Sequence, residues 1–249
     1  MNTYIQNSLR LLVGTLALGS ITAQAESQFS LGGGVISTSS PYAGTDSETL
    51  FLPIITYEGE RLSFKGLSLD YKLVEEQGFN WSLVLEPGDN FDTSDSDLAA
   101  IKALDDRKLS LYAGTQVSYT ASFGKISASA THDVIGHGDG AKFKTNYSYP
   151  IKLSKQLMLV PSVGVELNSS DVSNYYYGVA QGESTTYAPY ELGSTVNYNA
   201  GLFLMYYINK NWNVNAMVNY KQLDSDIEDS PIIDTDNTTT VMMSVNYRF

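Results

Sequence analysis

The last stretch of the chain, Asn237 to Phe249 (NTTTVMMSVNYRF), constrains the fold more than any other. Counting back from the C-terminus, Phe249, Tyr247, Val245, Met243 and Val241 fall on one side of an extended chain. Arg248, Asn246, Ser244 and Thr240 fall on the other, with Met242 the one apolar residue among them. A period of two is the pleat of a strand with one apolar and one polar face. In water, an unpaired amphipathic strand at a chain end invites aggregation. In a membrane such a strand is needed, because a barrel closes its last strand against its first and so removes both edges.

The same alternation recurs upstream. Trp212, Val214, Ala216, Val218 and Tyr220 share one face, and Asn213, Asn215, Met217, Asn219 and Lys221 the other. Aromatic residues stand at both ends of the apolar face, where a membrane strand meets the two interfaces. Thr195 to Ile208 alternates in register with it across the polar turn Asn209-Lys210-Asn211. Phe143 to Leu153 turns at Ser154-Lys155 into Leu157 to Leu167, and Leu109 to Ala121 turns at Ser122-Phe123-Gly124 into Ile126 to Val134. Each run reaches the roughly 9–11 residues that a tilted membrane strand requires.

The connections alternate in length. Short polar turns follow one end of each hairpin, whereas Asp89 to Asp106, Ser169 to Leu192 and Asp224 to Asn237 are long and acidic, and Gly136 to Gly140 is a brief link. Short periplasmic turns and longer outer loops are the asymmetry of an outer-membrane barrel, which places Phe249 in the periplasm. A soluble sandwich would alternate along its strands but not in its connections. Within the first long loop, Leu98, Ile101, Ala103 and Leu104 suggest one helical turn.

The N-terminal third is less regular. Phe29 to Ile36, Leu50 to Tyr57, Leu62 to Leu73 and Phe79 to Leu85 are strand candidates, but the phase slips at Lys65-Gly66, as at a bulge or a break between two short strands. This gives eleven clear strands. Single-chain bacterial barrels have even numbers, so the expectation is an all-β, antiparallel up-and-down transmembrane barrel of twelve strands, with ten as the alternative and the discrepancy within residues 48–90.

The N-terminus reads as a targeting segment spanning residues 1–25. Arg10 provides the n-region, Leu11 to Ile21 the apolar h-region and Ala23-Gln24-Ala25 the cleavage site, leaving a barrel domain over 26–249. The apolar run is too short for a membrane anchor and meets polar Glu26-Ser27-Gln28 directly. Removal of Arg10 lowers the 15 basic residues to 14 against 27 acidic ones, a net charge of −13. That balance disfavours nucleic acid as a partner. With no cysteine there are no disulfides, thiol chemistry, cysteine zinc sites or lipid anchor on an N-terminal Cys. Eighteen Tyr, twenty Gly and 17% charged residues, without any later segment apolar enough for a spanning helix, fit a membrane β-barrel.

Several short segments, taken in order, resemble the MltA-interacting protein (MipA/OmpV) family of outer-membrane proteins. They are Ser40-Pro41-Tyr42-Ala43-Gly44-Thr45-Asp46, then Pro53, Tyr57, Gly59 and Leu69-Asp70-Tyr71. His137-Gly138-Asp139-Gly140, Tyr176-Tyr177-Gly178-Val179, Ser230-Pro231-Ile232 and Tyr247-Arg248-Phe249 follow. The order and spacing carry the likeness over essentially all of residues 26–249; Asp139 departs from it, standing where the family usually has a second glycine. The resemblance implies a non-enzymatic barrel in the cell outer membrane, surrounded by lipid and lipopolysaccharide. It also implies a scaffold joining a lytic transglycosylase to a peptidoglycan synthase. Other members are associated with adhesion and with osmotic or antibiotic responses.

The residues themselves give little support for chemistry. A barrel hydrolase needs a His within reach of a Ser nucleophile and oriented by a third group. His132 has Asp133 beside it and Ser127 and Ser129 below, but strand neighbours point to opposite faces. An interface histidine on the lipid side is the simpler reading. His137 lies in a glycine-rich link, and two histidines without ligand spacing do not define a metal site. Asp224, Asp226, Glu228 and Asp229, and likewise Asp92, Asp95 and Asp97, alternate like calcium ligands but lack the Gly and distal Glu of an EF-hand loop. They read as solvated loops, or as weak divalent bridges to lipopolysaccharide phosphates. No catalytic, cofactor-binding or metal residue is therefore expected. The inward face offers Asn197, Asn199, Asn213, Asn215, Asn219, Lys221, Lys142, Lys144 and Asn146, which is polar without a strong charge ring. With ten or twelve strands it is narrower than the roughly 16–18-stranded open porins. A narrow channel is thus the alternative to the scaffold, with a lipid-modifying enzyme third.

Overall fold

The computed structural model describes residues 27–249; the expected signal peptide over 1–25 lies outside them. Twelve antiparallel staves close into a barrel. They are β1 (Gln28–Thr38), β2 (Glu48–Glu58), β3 (Leu62–Lys65), β4 (Ser68–Glu76), β5 (Phe79–Pro87) and β6 (Leu111–Ala121), followed by β7 (Gly124–Asp133), β8 (Ala141–Ser148), β9 (Leu157–Asn168), β10 (Thr195–Tyr207), β11 (Trp212–Gln222) and β12 (Asn237–Arg248). Each pairs with the next, and β12 returns to β1 from Ser30↔Arg248 to Thr38↔Thr240. At the seam Phe249 N–H donates to the Phe29 carbonyl at 3.1 Å, and the two rings lie 5.5 Å apart.

The twelfth strand comes from the phase slip. Lys65-Gly66 is a hairpin rather than a bulge: Gly66 adopts φ +66°, the left-handed conformation that glycine tolerates, and folds β3 back onto β4. A second interruption has a different cause. The stave expected over Phe143 to Leu153 stops at Ser148 and resumes only as Ile151–Lys152. Pro161 of β9 and Pro150 in the gap both lack an N–H for the ladder, which is interrupted there although Tyr149 N–H still donates to the Pro161 carbonyl at 3.1 Å.

Facing follows the alternation. Tyr198, Leu202, Val218, Tyr220, Val241, Met243 and Val245 are exposed on the outer wall, and Trp212 and Tyr247 pack edge to face at its periplasmic end. Exposure of an apolar belt is destabilising in water and is what a bilayer requires. Phe143, Tyr147, Tyr149 and Ile151 also point outward, as their spacing predicts.

All the long connections, including 88–110, 169–194 and 223–236, leave the end of the barrel opposite Phe249. They fold rather than extend. A 3₁₀ turn (Thr93–Asp95) and three short helices, α1 (Ala99–Lys102), α2 (Ser170–Tyr177) and α3 (Ser225–Glu228), sit among them. The helical turn expected near Leu98–Leu104 is α1, which buries Ile101 and Leu104 while Leu98 stays exposed. The acidic residues have structural work. Asp92 caps the 3₁₀ turn and Asp224 caps α3, each accepting from a backbone N–H at 3.0 Å.

Candidate functional site: a lidded polar lumen

The outer mouth is covered by a lid with its own hydrophobic core. Tyr42 from the first connection stacks on Phe91 from the third, ring centroids 3.7 Å apart and 4° from parallel. Ile101, Leu104, Val172, Tyr176, Val179, Leu192, Ile227 and Ile232 complete the packing around them. Hydrogen bonds cross between loops: Tyr42 hydroxyl to the Tyr176 carbonyl at 3.0 Å, Tyr176 hydroxyl to the Asp89 carbonyl at 2.8 Å, and Ser230 hydroxyl to the Tyr177 carbonyl at 2.6 Å. Arg107 donates to the Gly178 carbonyl at 3.0 Å and pairs with Glu183 at 2.7 Å. Burial pushes the Tyr176 and Tyr177 hydroxyls well above the ordinary phenol range, so both stay neutral. Burial also acts to raise Glu183. The Arg107 hydrogen bond and charge, with backbone N–H donors from Ala180 and Asp105, outweigh it and hold that carboxyl below its usual value.

Three of the segments that carry the family resemblance, 40–46, 176–179 and 230–232, meet in this lid. Tyr42 bridges to Ile233, Ala43 N–H donates to the Ile232 carbonyl at 3.0 Å, and Ser230 holds Tyr177. Scattered along the sequence, they converge in space.

Beneath the lid lies a layer of charge. Lys142 rests under the rings of Tyr112 and Tyr176, its Nζ 4.5 and 5.6 Å from their centroids, and is 3.6 Å from Asp89. Lys144 pairs with Glu86 at 2.6 Å and lies 3.9 Å from Glu166; Lys221 reaches Glu166 at 3.4 Å. Asn197 donates to the same carboxylate at 3.4 Å. The sequence reading identified the lysines and asparagines on this face but not the carboxylates across the lumen. Pairs of this kind join β5, β8, β9 and β11, which are not all neighbours, so strand alternation does not reveal them. The result is a balanced network of ion pairs, where a polar face without a strong charge ring was expected. Below it Val160, Phe203, Met205 and Met217 form a buried apolar cluster, with Met158 and Met242 packed against them. Thr131 Oγ1, Asn168 Oδ1, Asn215 Oδ1 and Asn246 Oδ1 are buried in the wall without a protein partner, as expected for groups that water completes.

No hydrolase constellation is assembled. His132 faces outward in a shallow concavity of about 820 Å³ with Ala113, Ala130, Ala141 and Phe143, and its Nδ1 lies 2.9 Å from the Asp133 carbonyl. Ser127 is buried on the opposite, luminal face. Asp133 turns the other way and knots the link after β7. Its carboxylate accepts from the backbone N–H groups of Ile135, Gly136, Gly138 and Asp139 at 2.7–3.2 Å. Asp139 sits at φ +43°, the left-handed region in which aspartate substitutes for glycine at modest cost. His137 is tied to the Leu109 carbonyl at 2.7 Å. Among the described residues no group of three His, Cys, Asp or Glu side chains is arranged to hold a metal ion.

Lipid-facing strands, aromatic ends, a sealed seam and a polar lumen define an outer-membrane β-barrel. The sequence profile of MltA-interacting protein MipA matches residues 31–249, and the chain belongs to that family. It is 28% identical to the MltA-interacting protein of Escherichia coli (strain K12), covering 94% of this chain and 95% of that one. It is 32% identical to outer membrane protein Omp26La of Vibrio anguillarum, covering 78% and 76%. Among solved structures it is similar to an outer-membrane channel from Pseudomonas putida F1, with a TM-score of 0.47, 10% identity and coverage of 92% and 97%.

Proposed function

We propose that the protein is a narrow outer-membrane channel for small polar solutes, gated by its lid and exported by cleavage of residues 1–25. The supporting observation is the balanced layer of Lys142, Lys144 and Lys221 against Asp89, Glu86 and Glu166. In a dry interior such pairs give little stability over apolar residues of the same size, because desolvation offsets their attraction. In a water-filled constriction they cost little and present both signs of charge to a solute. Conductance of the purified protein in planar bilayers tests this. Stable, small steps that grow when the lid is loosened are the expected result; a silent barrel with its lid removed would refute it.

A second reading has the barrel act through protein contacts, linking a murein hydrolase to a peptidoglycan synthase. The relative described as an MltA-interacting protein favours it. So do the apolar side chains Phe123 and Trp212, exposed at the periplasmic turns. Cross-linking through Ser122-Phe123-Gly124 and Asn209-Lys210-Asn211, followed by pull-down from solubilised membranes, tests it. If no murein enzyme is recovered while bilayers show conductance, the scaffold reading falls.

A further inference from the structure

The barrel wall has a gap. β3 pairs with β2 only over Thr56–Glu58, and its ladder ends where Gly66 N–H donates to the Ile55 carbonyl at 3.2 Å. Above that point β2 continues to Glu48 against β1, yet among the described residues Thr49–Ile54 have no backbone partner on their other edge. Alternate residues of a strand direct their backbone groups to the same side. The Ile55 carbonyl points toward β3, so Pro53 and Phe51 point into the gap. Proline is the residue that can stand there without wasting an N–H, which marks this edge as built to stay open.

The gap is framed on every side. Its sill is the Gly66-Leu67 turn, the one outer connection that stops short of the rim. Its lintel is the contact between the first and third outer connections. There Thr45 bridges to Ser96, Asp97 N–H donates to the Gly44 carbonyl at 2.7 Å, and Ser96 hydroxyl donates to the Ala43 carbonyl at 2.8 Å. On the outer side Phe51 is 85% exposed and Leu67, at the sill, is exposed as well, which sets the opening in the lipid belt. Unpaired backbone is tolerated at membrane depth only where it borders water or protein. The opening therefore joins the bilayer to the lumen.

What leads inward from it is apolar. Leu50, Ile36, Met242, Met217, Phe203 and Val160 are successive partners across β2, β1, β12, β11, β10 and β9, all on the luminal face. Barrel strands tilt, so a row perpendicular to them winds down the wall. This row begins two residues from the outer end of β2 and finishes three residues from the periplasmic end of β9. It is flanked on one side by Thr38, Thr240 and Asn219; the row on the other side is polar at Ser244 and Asn215 but carries Leu52 at its outer end and Met205 and Met158 at its periplasmic end. Midway along the wall, between Thr240 with Asn219 and Ser244 with Asn215, the apolar lane is a single residue wide, which fits one hydrocarbon chain. Methionines give the lane a flexible, polarisable lining suited to chains of varied shape.

We infer that the barrel takes a single-chain amphiphile from the bilayer through the opening between β2 and the β3–β4 hairpin and lays its acyl chain along this row. The inference is independent of conductance, and either can fail alone. Both native tryptophans, Trp81 and Trp212, face outward and can be replaced by Phe, leaving Met242→Trp as a luminal reporter. In the full barrel reconstituted into vesicles, free dibromostearate should quench that reporter saturably and roughly halve its emission. Brominated phosphatidylcholine should not. Two variants should abolish the quenching while keeping the heat-modifiable gel mobility of a folded barrel: Leu50→Asp, and a β3–β4 hairpin lengthened between Lys65 and Ser68 to pair with Thr49–Ile54. The second remains informative if the first misfolds. Absence of quenching, or quenching indifferent to the lengthened hairpin, overturns the inference; equal quenching by the two-chain lipid overturns the single-chain assignment.

Discussion

Truncating Tyr42 should open the lid without opening the barrel. The ring is buried, lies 3.7 Å from that of Phe91, and its hydroxyl holds the Tyr176 carbonyl across the mouth. Loss of a buried aromatic side chain costs about 3–5 kcal/mol, a figure that includes the cavity left behind. The stacked pair accounts for about 0.5–1.5 kcal/mol of this. Because every 1.4 kcal/mol is tenfold, Tyr42→Ala should raise the population of the opened lid by about 10² to several times 10³. Tyr42→Phe keeps the stack and removes one hydrogen bond, for a loss of about 0.5–1.5 kcal/mol. Amide exchange in residues 88–110 and 169–194 reads the opening, and single-channel recording reads its consequence. Exchange should quicken in the order wild type, Tyr42→Phe, Tyr42→Ala, with the mean open time rising in the same order. Strand amides of β6 and β11 should keep their protection. If Tyr42→Ala leaves loop exchange and conductance at wild-type values, the lid is not held as described and the gating proposal fails with it.

Other expectations are more local. Ala216→Arg places a charge on the lipid face near mid-membrane and should cost roughly 2–4 kcal/mol, whereas Asn215→Arg points into the lumen and should cost far less; urea unfolding in lipid vesicles separates them, and equal losses would contradict the facing. Glu166→Gln removes the carboxylate shared by Lys144 and Lys221. In a hydrated lumen the loss is about 1 kcal/mol or less with a shift of reversal potential toward anions, while a loss of about 3–5 kcal/mol would show a dry interior. The depressed pKa of Glu183 makes its pairing with Arg107 stabilising above the unfolded carboxyl value, and that contribution is lost as pH falls through the folded one. Protease cleavage within 169–194 should therefore rise below about pH 4 in wild type and be flat with pH in Glu183→Gln.

Strand alternation was legible in the sequence because each stave is buried on neither face alone: one side meets lipid and the other meets the lumen, so the period of two is strong. The same logic made Lys65-Gly66 visible as a phase slip. The lid was not legible, for a physical reason. Its core residues Tyr42, Phe91, Ile101, Leu192 and Ile232 come from four different connections. Helical spacing marks only Ile101 among them, and the acidic residues around the others suggested solvated loops. α2 has the same origin, since it is short and docks its tyrosines on partners remote in sequence. The luminal ion pairs were half legible. Lys142 and Lys144 stand out on a polar face, but Glu86 and Glu166 become partners only once twelve staves curve round to set them opposite. Asp133 was read as a neighbour of His132, whereas its value lies in four backbone N–H groups that no side-chain pattern announces.

The contact between Ala43 and Ile232 also dictates an order of assembly. These residues belong to the first and last outer connections, and they meet only after β12 has zipped onto β1. Until the seam is shut, Tyr42 and Ile232 have no common core to enter and remain bare. The lid is thus a late product of biogenesis and a built-in record of its completion. A stalled, open sheet leaves these greasy side chains uncovered, and a finished barrel hides them.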